Sequence, residues 1–299
     1  MTVPTTPPAA PKVIAEIGCN HKGSMAIAME LIDLAATFCD ADVAKFQKRH
    51  NRELLSADEY ERVHPVPTNS YGDTYGAHRE ALEFDLAQHK DLQAYCHEKG
   101  IAYSTSVWDV TSAREMATLE PEMLKVPSAC NLNKRLLEVL CAEYAGEIHI
   151  STGMTTPDEI ARFVELIDNH GRAKDTIIYA CTSGYPVAFE DLYLGDITRM
   201  KERFGSTVKA IGFSGHHLGI AADIAAMVLG AEWIERHFTK DRTWKGTDHA
   251  ASLEPSGFRK LCRDLKNVSL ALAAKPVAIL PVEQVQRDKL KATQMRWEL

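Results

Sequence analysis

The 299-residue chain has no excess of positive charge: 34 Lys and Arg stand against 41 Asp and Glu, a formal net charge of −7. A protein that binds nucleic acid as its main partner needs basic side chains to neutralise phosphates, so the charge balance argues against that class. A small anionic substrate is not excluded, because it takes only a local cluster of Lys and Arg. No apolar run approaches the ~18 residues of a membrane span, so no membrane partner is expected. Met1 to Lys12 is rich in Pro, Thr and Ala and lacks a basic segment followed by an apolar one, so it does not read as a signal peptide. The seven cysteines are scattered without a CxxC pair, which speaks against a disulfide framework and for a reducing, cytoplasmic setting. A Gly-rich dinucleotide fingerprint is also missing: Gly18-Cys19-Asn20-His21-Lys22-Gly23, after the first strand-like run, lacks the spacing.

What is present is an alternation of short β-rich runs with helix-period stretches. The strand candidates are Val13–Ile17, Val43–Phe46, Ile101–Ser104, Met123–Val126, Ile148–Ser151, Thr176–Ala180, Ala210–Phe213 and Trp233–His237. Each precedes an amphipathic segment. One of these opens with Thr156 as N-cap and Pro157 at its first position; the last runs over Leu253–Leu272. Eight βα repeats predict an α/β fold of the TIM (β/α)8 type, with a doubly wound open sheet as the alternative. The expected layout is a flexible segment over 1–11, a catalytic barrel over 12–275, and a partly helical tail over 276–299. The polar stretch from Lys48 to Phe84 is too long for an ordinary βα loop and reads as a lid or substrate-binding excursion.

In a TIM barrel the C-terminal strand ends build the active site, so those residues belong together. They are Glu16; Lys45 and Gln47; Ser104, Thr105 and Ser106; Lys125 and Ser128; Ser151; Thr182, Ser183 and Tyr185; Ser214 and His216; Glu235 and His237; and Asp248 in the loop behind. Lysines with hydroxyls suit a phosphate or carboxylate, and a carboxylate suits sugar hydroxyls or acid/base work. His216 and His237, about twenty residues apart at the ends of neighbouring strands, suit one divalent metal. Taken singly, the hydroxyls also fit turns and caps, and His216 also fits a core or N-cap histidine. His217 is expected to begin the following helix.

These motifs resemble the sialic acid (N-acetylneuraminate) synthases. The likeness is carried by Ile14-Ala15-Glu16-Ile17-Gly18 with Asn20-His21, Lys45-Phe46-Gln47, Lys125-Val126 with Ser128, and Ser151-Thr152-Gly153-Met154. It continues in Cys181-Thr182 with Tyr185-Pro186, Ser214-Gly215-His216 and Glu235-Arg236-His237-Phe238-Thr239. Trp244-Lys245-Gly246-Thr247-Asp248-His249 and Thr74-Tyr75-Gly76 with His78 look especially like the animal branch. The resemblance covers roughly residues 12–285.

The resemblance implies addition of the enol carbon of phosphoenolpyruvate to an aldose aldehyde, water attacking C2 and phosphate leaving. Lys45, Thr105, Lys125, Ser128 and Ser214 would hold phosphoenolpyruvate. His216 and His237 would bind Mn²⁺ or Mg²⁺, which polarises the aldehyde. Glu16, Gln47, Ser183, Tyr185 and Asp248 would face the acceptor, with Glu16 as acid/base; a homodimer is also implied. Three features depart from the pattern. Cys130 stands where an acidic residue is usual, Ser183 where Asn is frequent, and the small antifreeze-like C-terminal domain is expected to be absent. The expected product is a sialic-acid-like 3-deoxy-2-ulosonic acid, made from N-acetylmannosamine, mannose, their 6-phosphates or a related sugar. The competing readings are a Schiff-base aldolase using Lys125 or Lys45, and a non-catalytic paralogue that binds a sugar acid or a full-length synthase.

Overall fold

In the computed structural model, which describes residues 5–291, eight parallel strands close into a barrel in sequence order. They are β1 Lys12–Gly18, β2 Val43–Lys48, β3 Ala102–Val107, β4 Met123–Val126, β5 Glu147–Ser151, β6 Thr176–Cys181, β7 Ala210–Gly215 and β8 Trp233–His237. Closure comes from β1, which pairs with β2 on one side and β8 on the other. The expected barrel is therefore present, and the open sheet is not.

Local chemistry places the helices between strands. Thr156 and Glu159 form a reciprocal capping box that starts Pro157–Asn169, and Asp85 with Gln88 does the same for Leu86–Lys99. That second helix ends at Gly100, whose φ of 71° is the left-handed conformation that a C-terminal cap favours in glycine. The last barrel helix is Pro255–Ala271. Met25–Asp33 continues into a π-helical turn, Leu34–Phe38.

Alternation along each strand divides the side chains between two environments. Outward residues such as Ala15, Ile17, Ala44, Phe46, Leu124, Ile178 and Phe213 pack with Leu31, Leu92, Leu136 and Phe258 from the surrounding helices. The barrel interior changes character along its axis. Its lower layer is apolar, with Ile14, Val43, Met123, Ile177, Tyr179 and Trp233 in one cluster. Gly212 makes room for Tyr179, since an added Cβ would lie 2.5 Å from that ring. Above this plug the inward positions become charged.

β3 extends three residues past the expected end at Ser104. Its upper half is polar and falls outside a hydrophobicity pattern, yet it pairs residue for residue with β2, up to Lys48↔Val107. The Lys48–Phe84 excursion carries three short α-helices, Asn51–Leu54, Ala57–Glu61 and Tyr75–Glu80, and a 3-10 turn, Pro67–Asn69. His217 does not start a helix, because the next one begins at Ala221. It is fully buried outside the barrel, its Nε2 3.1 Å from Arg236, which itself pairs with the buried Asp223. Of the expected terminal segments, residues 1–4 and 292–299 lie outside the described residues. The remainder of the tail contributes helix Pro281–Leu290, with Val282, Val285 and Leu290 exposed. No helix among the described residues is long and apolar enough to cross a membrane.

Candidate active site

A cavity of about 470 Å³ opens at the C-terminal ends of the strands. It is lined by Glu16, Lys45, Gln47, Ser106, Lys125, Ser128, Ser183, Tyr185, Ser214, His216, Glu235, His237 and Asp248, together with residues of the excursion. Every residue to which the resemblance gives a role is here except Thr105; of the other strand-end residues, Ser106, Ser151 and Glu235 line the cavity and Ser104 and Thr182 do not. Register explains the exception. Thr105 is opposite Phe46, whose ring belongs to the outer core, whereas Ser104 and Ser106 are opposite Lys45 and Gln47. Neighbouring residues on a strand face opposite ways, so Thr105 is turned to the helix layer and Ser106 takes the inward position. Ser106 accepts from Lys45 Nζ at 2.8 Å.

The floor is a buried charge cluster. Lys45 pairs with Glu16 and lies 3.8 Å from Glu235, which bonds Lys125 at 2.8 Å. Ser214 donates to Glu235 at 3.1 Å, and Gln47 reaches Glu16 at 3.5 Å. The two carboxyls are driven apart. Burial pushes Glu16 up to about 7, against the attraction of Lys45 and helped by repulsion from Glu235. Burial also penalises ionised Glu235, but Lys125 and Lys45 together hold it well below the usual carboxylate range. Lys125, also over the Tyr179 ring at 3.7 Å, is lowered by burial despite Glu235. The floor thus carries two cations, one firm anion and one carboxyl able to exchange a proton near neutrality.

His216 and His237 stand beside this floor, their ring centroids 5.4 Å apart, and the Tyr185 ring is 4.3 Å from His216, tilted by 50°. Burial and His237 push His216 down to about 3, and burial lowers His237 against the pull of Asp248. Both rings are therefore neutral. His216 Nδ1 is tied to the Thr182 carbonyl at 3.0 Å, which leaves its Nε2 lone pair free, a frequent arrangement for a metal-bound imidazole. His237 Nδ1 is buried without a hydrogen-bond partner, 3.9 Å from an Asp248 oxygen. No cluster of three metal-binding side chains occurs among the described residues. The pair suits an ion whose other positions go to water or substrate.

Across the cavity, Ser128 accepts from the Gly153 N–H at 3.0 Å. A Cβ at Gly153 would collide with Ser183 Oγ and lie 2.7 Å from Ser128 Oγ. The glycine lets two hydroxyls converge, with the Gly153 N–H fixing that of Ser128, a cradle suited to phosphoryl oxygens. Cys130 does not line the cavity. Its side chain sits in the apolar core, where burial pushes the thiol up to about 12.

The far wall received no site role from the sequence, although Tyr75 and His78 belong to a motif noted there. It comprises Arg49, His64, Tyr75, His78, Arg79, Leu82 and Trp108. Arg49 is neutralised by Glu83, whose carboxylate accepts from its Nε at 2.5 Å and from its backbone N–H at 2.9 Å. Arg79 lies between the rings of Tyr75 and Trp108, 5.4 and 5.5 Å from their centroids. The available signals were that motif and the length and Tyr/His content of the excursion, which mark a lid but not which side chains turn inward.

Residues 31–276 match the pattern of the NeuB family. The chain is 36% identical to the N-acetylneuraminate-9-phosphate synthase of Homo sapiens over 93% of its own length and 76% of that protein. It is 31% identical to the N,N'-diacetyllegionaminic acid synthase of Campylobacter jejuni, covering 87% and 77% of the two chains. Among solved structures, it is similar to the N-acetylneuraminic acid synthetase of Leptospira borgpetersenii in complex with citrate. That likeness has a TM-score of 0.78 at 26% identity and covers 96% of this chain and 94% of the other.

Proposed function

The chain belongs to the NeuB family, and we propose that it condenses phosphoenolpyruvate with an aldose to give a sialic-acid-like 3-deoxy-2-ulosonic acid and phosphate. The observation that carries this reading is the pairing, in one cavity, of the Lys45–Lys125 floor with the neutral His216–His237 pair. The volume falls within the range of small-molecule sites.

Lys45 and Lys125 attract the carboxylate and phosphate of phosphoenolpyruvate, and the Ser128–Gly153–Ser183 cradle receives phosphoryl oxygens. These donors are fixed by buried contacts before substrate arrives, so they stabilise developing negative charge without reorganising. His216 and His237 would hold Mn²⁺ or Mg²⁺, which when bound supplies Lewis acidity toward the aldehyde oxygen. Asp248 and Tyr185 flank the same histidines and can orient acceptor hydroxyls. C3 of phosphoenolpyruvate bonds to the aldehyde carbon, water adds at C2, and the C2–O bond to phosphate breaks. Glu16, with its carboxyl near 7, is the group suited to moving the proton.

The test is phosphate release from phosphoenolpyruvate with a panel of aldoses and Mn²⁺, with product identified by mass spectrometry. Release that needs both an aldose and metal supports the reading. No release with any aldose, or release with no new carbon–carbon bond, overturns it.

A further inference from the structure

His216 and His237, the two imidazoles suited to one metal, stand just beyond the strand pairing that carries them. The β7–β8 register ends at Gly215↔Arg236, one residue before each. His237 is fixed further by β1, where it lies opposite Glu16, and its carbonyl accepts the Leu253 N–H at 2.8 Å. His216 is past the end of the register with β6 as well, and the loop after β6 holds it from one side through Thr182 and Val187. Arg236 holds the next residues from the other side. Its neighbours Glu235 and His237 face the cavity, so its own side chain is turned out of the barrel. There Nη2 donates to the His217 carbonyl at 2.5 Å, and Nη1 donates to the Gly219 carbonyl at 2.8 Å and to His217 Nε2 at 3.1 Å. Asp223, in helix Ala221–Val228, balances the charge. Gly215 leaves room for this arrangement, since an added Cβ would lie 3.0 Å from the His217 ring.

Arg236, His217 and Asp223 are all fully buried. Stability does not account for them, because apolar packing of similar volume often equals or exceeds a buried ion pair. This cluster is also incompletely satisfied: Arg236 Nε, Asp223 Oδ1 and His217 Nδ1 have no hydrogen-bond partner among the described residues. What apolar side chains could not do is bond the carbonyls of residues 217 and 219. A planar fork spanning both ties the segment after β7 to the residue before His237 with fixed geometry. Groups that orient metal-binding side chains from behind in this way govern metal affinity. Resting on the synthase reading and its metal, we infer that Arg236 is a positioning residue of the ion site. Anchored by Asp223, it sets where His216 stands relative to His237 and touches neither metal nor substrate.

The experiment is calorimetric titration of Mn²⁺ into metal-stripped protein, with phosphoenolpyruvate binding and phosphate-release turnover measured beside it. Arg236→Lys keeps a charge opposite Asp223 but cannot span both carbonyls, and it should raise the Kd for Mn²⁺ about 10- to 100-fold. The Kd for metal-free phosphoenolpyruvate binding should stay within about 2-fold, because Lys45, Lys125 and Glu235 are unchanged. Turnover by Arg236→Lys should recover at saturating Mn²⁺. Arg236→Met combined with Asp223→Leu removes both charges, so it should melt at or above the wild-type temperature and still lose Mn²⁺ affinity by a similar factor. Unchanged Mn²⁺ affinity in Arg236→Lys, or parallel loss of Mn²⁺ and phosphoenolpyruvate affinity, overturns the inference and leaves the synthase reading standing. A stable double variant with wild-type Mn²⁺ affinity also overturns it, since the cluster would then serve only the fold; if that variant does not fold, Arg236→Lys alone decides. Wild-type protein that binds no Mn²⁺ overturns the ion site and the clamp together. Loss of Mn²⁺ affinity in the variants, with no turnover of any aldose by wild type, leaves the clamp standing and removes the synthase reading.

Discussion

Glu235→Gln is the sharpest probe of the floor. It keeps volume and one oxygen for Ser214 but removes the charge that both lysines face. At an effective dielectric of ~20, the contacts at 2.8 and 3.8 Å are worth roughly 6 and 4 kcal/mol before solvation. Against this, the variant no longer desolvates a carboxylate, which returns about 5 kcal/mol of that sum. What remains is about 5 kcal/mol of destabilisation, at the top of the range for a buried pair that loses one partner. For a chain of this length it corresponds to a fall in Tm of roughly 8 °C. The assay is thermal and denaturant unfolding of both proteins, repeated with added inorganic phosphate. Two under-compensated lysines should bind the anion more tightly, so phosphate should restore more stability to the variant than to wild type. A variant as stable as wild type, or one that phosphate stabilises no further, would refute the reasoning that Glu235 is the main counter-charge.

Glu16 titrates near 7 when folded against 4.5 for the free group, so between those values the folded state keeps a proton that the unfolded state has lost. Stability should therefore fall as pH rises from about 4.5 to 7. Glu16→Gln should flatten that slope in denaturation midpoints and remove an inflection near 7 from the kcat/KM profile. His237→Ala should abolish turnover and weaken Mn²⁺ binding, read by titration calorimetry, while circular dichroism stays native; near-normal activity would sink the metal role. Thr105→Val should leave the KM for phosphoenolpyruvate within about 2-fold, because its side chain faces the helices. Ser106→Ala should change it more, through Lys45.

Fold and floor were legible in the sequence because both rest on periodicity. Strand-end residues of a parallel barrel converge by topology alone, so naming the strands places Glu16, Lys45, Lys125, Ser214, His216 and His237 on one rim. The method fails where its assumption does. Along the polar upper half of β3 nothing in the hydrophobic pattern says which face is inward, and a displacement of one residue separates Thr105 from Ser106. Cys130 shows a related limit, since it stands where the resemblance expects an acidic residue, yet packing turns it into the core.

The order of side chains along the chain by itself determined the eight βα repeats and which side chains gather at the strand ends, because those follow from alternation and repeat; that the sheet closes was decided by the pairing of β1 with β8. Only the tertiary structure decided the far wall. Arg49 and Arg79 are equally basic in the sequence, and both are buried. One meets Glu83 and is neutralised; the other meets two aromatic faces and keeps its donors free. That difference arises from how an irregular excursion packs over the barrel, through contacts between residues far apart in the chain, for which no local spacing exists to read.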